Sequence, residues 1–569
     1  MICKDSNESC GTGIERGRRM QEREFNLLEE PWVKVVTASL EQKEVSLTDA
    51  LVYAHEYMGL SGEMPTQDAA LLRVLLAIGI TVFYRYDADG RQDELSKEND
   101  SDETDIMERW IAYWEKGSFP SQAVKDYLEV YRERFWLFHP ETPFWQVDSL
   151  PYGTDYDAKC MLGNIKESMN KMTRHHFSMA EGEALDRLGY GEAARWLIHL
   201  NAYGVNVKAD KKAPGTTLPV GTGRMGQLGF VMATGENLFR ILMLNLCPLN
   251  PDHEPWGTPR PVWAQNVCKE QSRLIPPPDN LPELYTMQSR RILLKRDECG
   301  HVTGFSAIGG DFYPVENDFN EPMTLWQESK SEKAEPSISF PKLRNPSVHA
   351  WREFPALFDG GVEGSHIPGV VQWMRKLCDE KLVDSLLTFR MIGMVYGDKM
   401  KYTYGDCVDD ALALSAGLLK ELGRAWIKRI SEETDKCQAV SAALDHFSGK
   451  VSKLLYGNGS EKNKIKNILV SRYYFSVDVA FREWLSGICP EEEEKEEKLA
   501  QWEETSYGFA RKTVEDYVGA LDMGVCVYRY ADKEVLAIPK ILNEYLRELG
   551  KIYIRRSSCG EREQNGKKG

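Results

Sequence analysis

The chain has no CxxC pair, no HExxH, no GxSxG and no Walker lysine, and none of its ten histidines is followed by aspartate. A metal phosphohydrolase, a zincin, a serine hydrolase or a P-loop NTPase needs one of these arrangements, so none of those classes is expected. Twelve cysteines scattered from Cys3 to Cys559 read as reduced thiols of a cytoplasmic protein, not as a disulfide framework. Cys299-Gly-His301 supplies half a zinc site with no second half in view. The longest apolar run, near Val74–Phe83, is too short to span a bilayer, so no membrane partner is expected. A positive balance is also missing. Lys and Arg total 71 against 87 Asp and Glu, a formal charge of -16, which argues against coating nucleic acid non-specifically. It leaves room for a local basic stripe.

What is present is an ordinary globular composition, 42% hydrophobic and 28% charged, over 569 residues, enough for two or three domains. The most distinctive stretch is Leu218–Leu246 with its approach, Lys208–Pro214. Gly221, Gly223 and Gly226 spell a literal GxGxxG. The dinucleotide reading fails on context: Pro219 precedes the motif, Thr234-Gly235-Glu236 interrupts the segment after it, and no acid closes a second strand. Gln227-Leu228 stands where a P-loop requires Lys-Ser/Thr. There remains a flexible glycine-rich loop carrying Lys208, Lys211, Lys212 and Arg224, suited to phosphate contact or to a purely structural role. No cofactor is expected.

In chain order, residues 1–24 read as a disordered leader, with Met20 a second possible start. Val33, Val35, Val45 and Leu47 suggest a hairpin, and Ser46–His55 a helix capped by Ser46 or Thr48. Ala69–Phe83 is apolar on nearly every face, hence a buried helix. Acidic Asp87–Glu108 reads as a mobile loop, with helical patterns resuming near Ile106–Trp114 and Ser121–Arg134. The aromatic cluster Phe135–Gln146 is either a core corner or an exposed base-stacking platform. Lys159–Gly191 reads as a long loop. His175-His176 within it are possible metal ligands without a partner carboxylate motif. Asn237–Leu246 is a helix or a buried strand, Pro248–Pro282 a packed irregular connector, and strand-like runs occupy Tyr285–Arg296, Val302–Phe312 and Thr324–Trp326.

Apolar Leu386–Val395 leads into Tyr396-Gly397-Asp398-Lys399-Met400-Lys401-Tyr402, where Gly-Asp between β-formers signals a hairpin turn. Beyond it four amphipathic helices are expected, at Val408–Ile430, Gln438–Leu455, Asn463–Ile488 and Leu499–Leu521, with a closing helix at Pro539–Tyr553. Asp409-Asp410 then falls beside a helix start, and Glu491–Lys498 is a solvated charge run. Ile465, Leu469, Tyr473, Val477, Phe481 and Leu485 form one stripe to be buried. The fold class expected is α+β: a large mixed N-terminal domain with long loops (25–395), a hairpin (396–402), a C-terminal four-helix bundle (403–555) and a disordered tail (556–569).

Several segments together resemble the large subunit of the type I-E CRISPR surveillance complex, Cascade, a family often called CasA. They are Asn26–Trp32 (NLLEEPW), Met64–Ile78 (MPTQDAALLRVLLAI), Phe138–Gln146 (FHPETPFWQ), Tyr285–Leu293 (YTMQSRRIL), Asn345–Trp351 (NPSVHAW) and the hairpin Met394–Lys401. The resemblance covers roughly residues 25–550. It implies a non-catalytic subunit that recognises a short protospacer-adjacent motif (PAM) in double-stranded target DNA from the minor groove. It also implies a wedge that helps split the duplex, and recruitment of a helicase-nuclease. Its partners would be the other Cascade subunits and CRISPR RNA, whose pairing supplies sequence specificity. Residue by residue, the wedge corresponds to Gly397, Asp398, Lys399, Met400 and Lys401, and the glycine-bearing loop to a place within Lys211–Gly226, first of all Gly215-Thr216. Relatives commonly carry amide side chains at the wedge tip, where this chain has Asp398-Lys399; an acid there needs Lys399 or Lys401 to offset it. Gly163–Ala180, with Lys166, Lys171 and Arg174, corresponds to a loop that touches the guide-RNA end and neighbouring subunits. The family's DNA-contacting lysine has no clear counterpart; Gly309-Gly310 falls nearest to its place. A cryptic metal-dependent nuclease using His175-His176 and a purely structural scaffold are the alternatives.

Overall fold

The computed structural model describes residues 23–96, 99, 101–164, 186–207, 221–269, 273–314, 320–328, 339–345, 348–359, 366–384, 386–397, 404–490, 495–521, 528–531 and 534–554. These fall into two compact units. The first draws on Met1–Ser347, His366–Trp373 and Phe389–Ala411; the second on Val348–Ser365, Met374–Thr388 and Leu412–Gly569.

The first unit opens with a small antiparallel sheet of β1 (Val33–Thr37), β2 (Gln42–Val45) and β3 (Tyr57–Leu60), with β1 in the middle. Val33 pairs with Val45, so the hairpin read from the alternation forms in register. Ser46 caps the following short helix, Leu47–Val52, by accepting from the Asp49 amide. α1 (Pro65–Arg85) begins with proline at its first turn and runs 21 residues, buried almost all round. It is long and apolar enough to cross a membrane by length and composition. Here it packs instead against α3 (Tyr190–Tyr203) and the helix Leu281–Thr286, as the core of its unit. Between them, α2 (Glu103–Lys116) starts before Ile106, because Asp102 and Asp105 form a reciprocal capping box. The acidic segment before it is docked rather than loose. The Leu95 amide donates to the Tyr84 carbonyl, and the Arg109 guanidinium donates to the Phe83 and Asp93 carbonyls. Acidic composition therefore misled here: backbone hydrogen bonds to the end of α1 and the guanidinium of Arg109 hold the described part of the segment.

The aromatic segment 135–146 is a core corner. Phe135, Leu137, Phe144 and Trp145 are buried, and the Trp145 indole donates to the Thr286 carbonyl. After the short strand β4 (Val231–Ala233), Asn237 caps a helix at Leu238–Leu244, which settles the helix-or-strand choice. β5 (Arg290–Arg296) and β6 (Val302–Gly309) pair antiparallel, with the strand Thr154–Asp157 on the other edge of β6. A further sheet places β7 (Leu386–Tyr396) between β4 and β8 (Tyr404–Ser415).

The hairpin strand β8 overturns the expected helix at 408–430. Val408, Leu412 and Leu414 are buried at even positions, a strand period, and Asp409-Asp410 lies in that strand, not at a helix start. Ala-Leu-Ala-Leu favours a helix locally, and pairing with β7 overrides that preference.

In the second unit, α4 (Arg424–Tyr456) is one continuous helix of 33 residues where two had been expected, and it ends at Gly457 in the left-handed conformation, φ 79°. α5 (Lys462–Ser486), α6 (Lys495–Gly519) and α7 (Ile538–Ile554) complete the unit. α4 packs against α5 and α7, and α6 packs against the same two. All six residues of the α5 stripe are buried. Phe481 stacks on Trp351 at 4.5 Å and meets Trp502 edge-on at 5.1 Å. The charge run after Cys489-Pro490 gives way to helix at Lys495, where Glu496 and Glu497 favour the first turn of α6.

Candidate nucleic-acid interface

Three segments singled out in the sequence have their described ends in one place in the first unit. Residues 208–220 lie outside the described residues, between Val207, just after α3, and Gly221. The two arms that flank them are tied together: the Gly223 amide donates to the Gly204 carbonyl at 2.8 Å. The guanidinium of Arg290, the first residue of β5, lies fully buried beside this neck. Its Nη2 donates to the carbonyls of Gly204 (3.0 Å), Val205 (3.1 Å) and Gly221 (2.7 Å), one cation holding both arms. Desolvation pulls its pKa down to about 10, which leaves it charged at neutral pH.

The hairpin β7–β8 roots against the same neck. The Tyr396 hydroxyl donates to the carbonyl of Tyr203, the last residue of α3, at 2.7 Å. Across the hairpin the Tyr396 and Tyr404 rings lie 6.3 Å apart, and Tyr404 lies 6.1 Å from the His199 ring, which stacks on Tyr203 at 5.6 Å. Burial drives both hairpin tyrosines well above the ordinary phenol range. His199 is held neutral, its pKa drawn down to about 3 by burial, and its Nε2 lies 3.1 Å from the Thr66 hydroxyl. The third segment departs from the same ring: a Cβ on Gly163 would lie 2.3 Å from His199 Cε1, so the backbone leading to Asn164 passes directly over the imidazole.

The glycine motif now has a structural meaning. A Cβ on Gly223 would fall 2.4 Å from the Ala202 carbonyl oxygen, and one on Gly226 would fall 2.1 Å from the Tyr396 hydroxyl. The glycines let the neck lie against α3 and the hairpin root; they cradle no pyrophosphate.

The sequence matches the family of CRISPR-associated protein Cse1 over residues 26–513. The chain belongs to the Cse1 family. It is 27% identical to the CRISPR-associated protein CasA/Cse1 of Thermus thermophilus over 511 residues, 85% of this chain and 91% of that one. The crystal structure of Thermobifida fusca Cse1 superposes with a TM-score of 0.74 at 26% identity, covering 93% of this chain and 98% of that one. A chain of a CRISPR RNA-guided surveillance complex shares the fold, with a TM-score of 0.67 at 18% identity over 92% of this chain and 99% of that one. The resemblance to the large Cascade subunit read from the short segments is thereby established over most of the chain.

Among the site residues expected for this Cse1-family chain, Gly397 is described, partly exposed, directly after β7. Asp398, Lys399, Met400 and Lys401 lie outside the described residues, as do Lys208, Lys211, Lys212, Gly215, Thr216, Lys166, Lys171, Arg174, His175 and His176. Arg224 is corrected. Its side chain turns inward on the short turn Arg224–Gln227 and is buried, with the guanidinium 4.1 Å over the Tyr313 ring, so it is unavailable to a phosphate. Gly309 pairs with Arg290 across β6 and β5, and Gly310 packs against the Gln288 carbonyl, so the pair borders the neck. Among the described residues, no three His, Cys, Asp or Glu side chains converge as metal ligands.

Arg290 and Tyr396 carry this geometry, and neither was singled out in the sequence. The signal for Arg290 was available: two consecutive arginines opening an otherwise apolar strand, Arg290-Arg291-Ile292-Leu293-Leu294. Each needs an internal partner once buried, and Arg291 finds Asp311 at 2.7 Å.

Proposed function

We propose that this chain is the non-catalytic large subunit of a Cascade complex and recognises the PAM in double-stranded target DNA. The hairpin tip from Gly397 to Lys401 enters beside the duplex as a wedge, with Lys399 making a phosphate or groove-edge contact. The loop containing Gly215-Thr216 approaches the minor groove, while Lys208, Lys211 and Lys212 supply positive charge along the backbone. Lys166, Lys171 and Arg174 reach the guide-RNA end and neighbouring subunits. Once the duplex is opened, guide pairing supplies the sequence reading, and the assembled particle recruits a helicase-nuclease. The subunit works in the cytoplasm, without cofactor or membrane. The observation that carries this reading is the common root: the neck of the 208–220 segment, the base of the hairpin and the start of the 165–185 segment meet around Tyr203, His199 and Tyr396. Family membership over residues 26–513 supports it.

The test is target-duplex affinity of assembled complexes with matched and altered PAMs. Lys399→Ala is expected to weaken matched-PAM binding by ~1–2 kcal/mol, the scale of a charge-assisted hydrogen bond. Lys399→Glu is expected to do worse, because it adds a second acid beside Asp398 and the phosphates. Guide-RNA assembly survives both. Equal affinities for wild type and Lys399→Glu would refute the wedge.

A further inference from the structure

The Tyr396 hydroxyl does more than close a strand end. It sits on the carbonyl of Tyr203 at 2.7 Å, and a Cβ on Gly226 would come within 2.1 Å of that oxygen and 2.9 Å of the ring carbon bearing it. The two residues after Tyr203 offer their carbonyls to Arg290, which also takes the carbonyl of Gly221 on the returning arm. The backbone of Arg290 is fixed in turn, since its amide donates to Asn201 Oδ1 at 3.2 Å and the neighbouring Ser289 hydroxyl donates to the Asn201 carbonyl. The end of α3, both arms of the neck and the end of β7 thus share one set of buried and part-buried polar atoms. Moving either arm alone would leave a buried guanidinium or carbonyl without its partner, and the close glycine contacts leave no slack for a hinge.

We infer that Tyr396 and Arg290 are positioning residues that lock the root of the hairpin and the neck of the glycine-rich loop into one rigid joint, which fixes where both leave the fold to meet a DNA duplex. The inference rests on the DNA-binding reading above and adds to it. On this inference PAM discrimination depends on how the two roots are held relative to each other, and residues that never touch DNA hold them.

Tyr396→Phe removes one oxygen and leaves the ring in place, so the variant folds. In the assembled complex it is expected to lower affinity for a matched-PAM duplex about tenfold, the scale of one lost hydrogen bond. Affinity for a duplex without the motif should stay unchanged. Combined with Lys399→Glu, it should add less than about twofold to the loss from Lys399→Glu alone, because both act on one unit. Hydrogen exchange at the Gly223 amide should quicken in Tyr396→Phe without any DNA present. Gly226→Ala should weaken matched-PAM binding more, and Tyr396→Phe in the same chain should partly restore it by vacating the clashing oxygen. Unchanged matched-PAM affinity for Tyr396→Phe, in complexes where Lys399→Glu is impaired, would overturn the joint and leave the DNA reading standing. An equal loss on duplexes with and without the motif would also overturn it, as general damage. If neither Tyr396→Phe nor Lys399→Glu weakens binding, the wedge falls and the joint falls with it.

Discussion

Arg390 on β7 grips Asp409 on β8 through two hydrogen bonds, Nε to Oδ1 at 2.7 Å and Nη2 to Oδ2 at 2.6 Å. The bidentate pair crosses the hairpin below its tip, with each side chain about a third exposed, 31% and 32%. Solvent screens part of the attraction, so Asp409→Ala is expected to cost only about 1 kcal/mol. The thermal midpoint of the isolated chain measures this, and no change in midpoint would mean that the pair contributes nothing to the hairpin.

A second ion pair should behave quite differently. Arg73 on α1 donates to Glu321 at 2.8 Å with both side chains almost wholly buried, and its guanidinium lies 4.2 Å over the Tyr285 ring. Glu321→Ala strands a charge in the core and should destabilise the chain by ~3–5 kcal/mol. Arg73→Met together with Glu321→Leu should recover most of that loss. Denaturant midpoints for the single and double variants decide it; a double variant as unstable as the single one would contradict the desolvation argument.

Acid should weaken the first unit through two groups, against an opposing contribution from Asp68, whose carboxyl is raised by burial from 3.8 to about 6. Burial alone would raise Glu63, but hydrogen bonds and charge from Arg195 and Lys34 outweigh it and hold the carboxyl at about 2 instead of 4.5. Burial lowers His199 from 6.5 to about 3. In both cases the unfolded chain binds the extra proton more readily, so stability is full above the unfolded value and falls as pH drops. The decline therefore begins below about 6.5 through His199 and steepens below about 4.5 through Glu63. Glu63→Gln should flatten the lower part of a stability-against-pH curve, and His199→Gln the upper part. Identical curves for wild type and both variants would sink the assignment.

The isolated chain should bind duplex DNA weakly. Its charge of -16 repels phosphate except where local lysines face it. The slope of log affinity against log salt should match a few contacts, roughly one per cation engaged. Arg224→Ala should leave that slope unchanged, because the side chain is buried over Tyr313. A shallower slope in Arg224→Ala would show that the guanidinium reaches phosphate after all.

Much of the local structure was legible in the sequence, for reasons visible in particular residues. Ser46 marked a helix start, the four-residue spacing from Ile465 to Leu485 marked a buried face, and the all-apolar run around Val74 marked a core helix. Each is set by side chains within one element, where period and capping act locally. The family was legible too, from several short segments taken together, and the family match runs over residues 26–513.

Partners distant in sequence decided the rest. Ala411–Leu414 reads as helix and becomes strand because β7 offers it backbone hydrogen bonds and an apolar face, which no local preference encodes. Arg224 reads as a phosphate ligand until Tyr313, 89 positions away in the chain numbering, closes over it. The glycines of the literal nucleotide motif take their meaning from Tyr396 and Ala202, and the neck they form takes its rigidity from Arg290. Sequence by itself determined many of the local elements and the family, since period, capping and motif order are carried along the chain. Only the tertiary structure decided which loops share a root, because a buried hydroxyl or guanidinium is satisfied by whichever carbonyls the fold brings within about 3 Å.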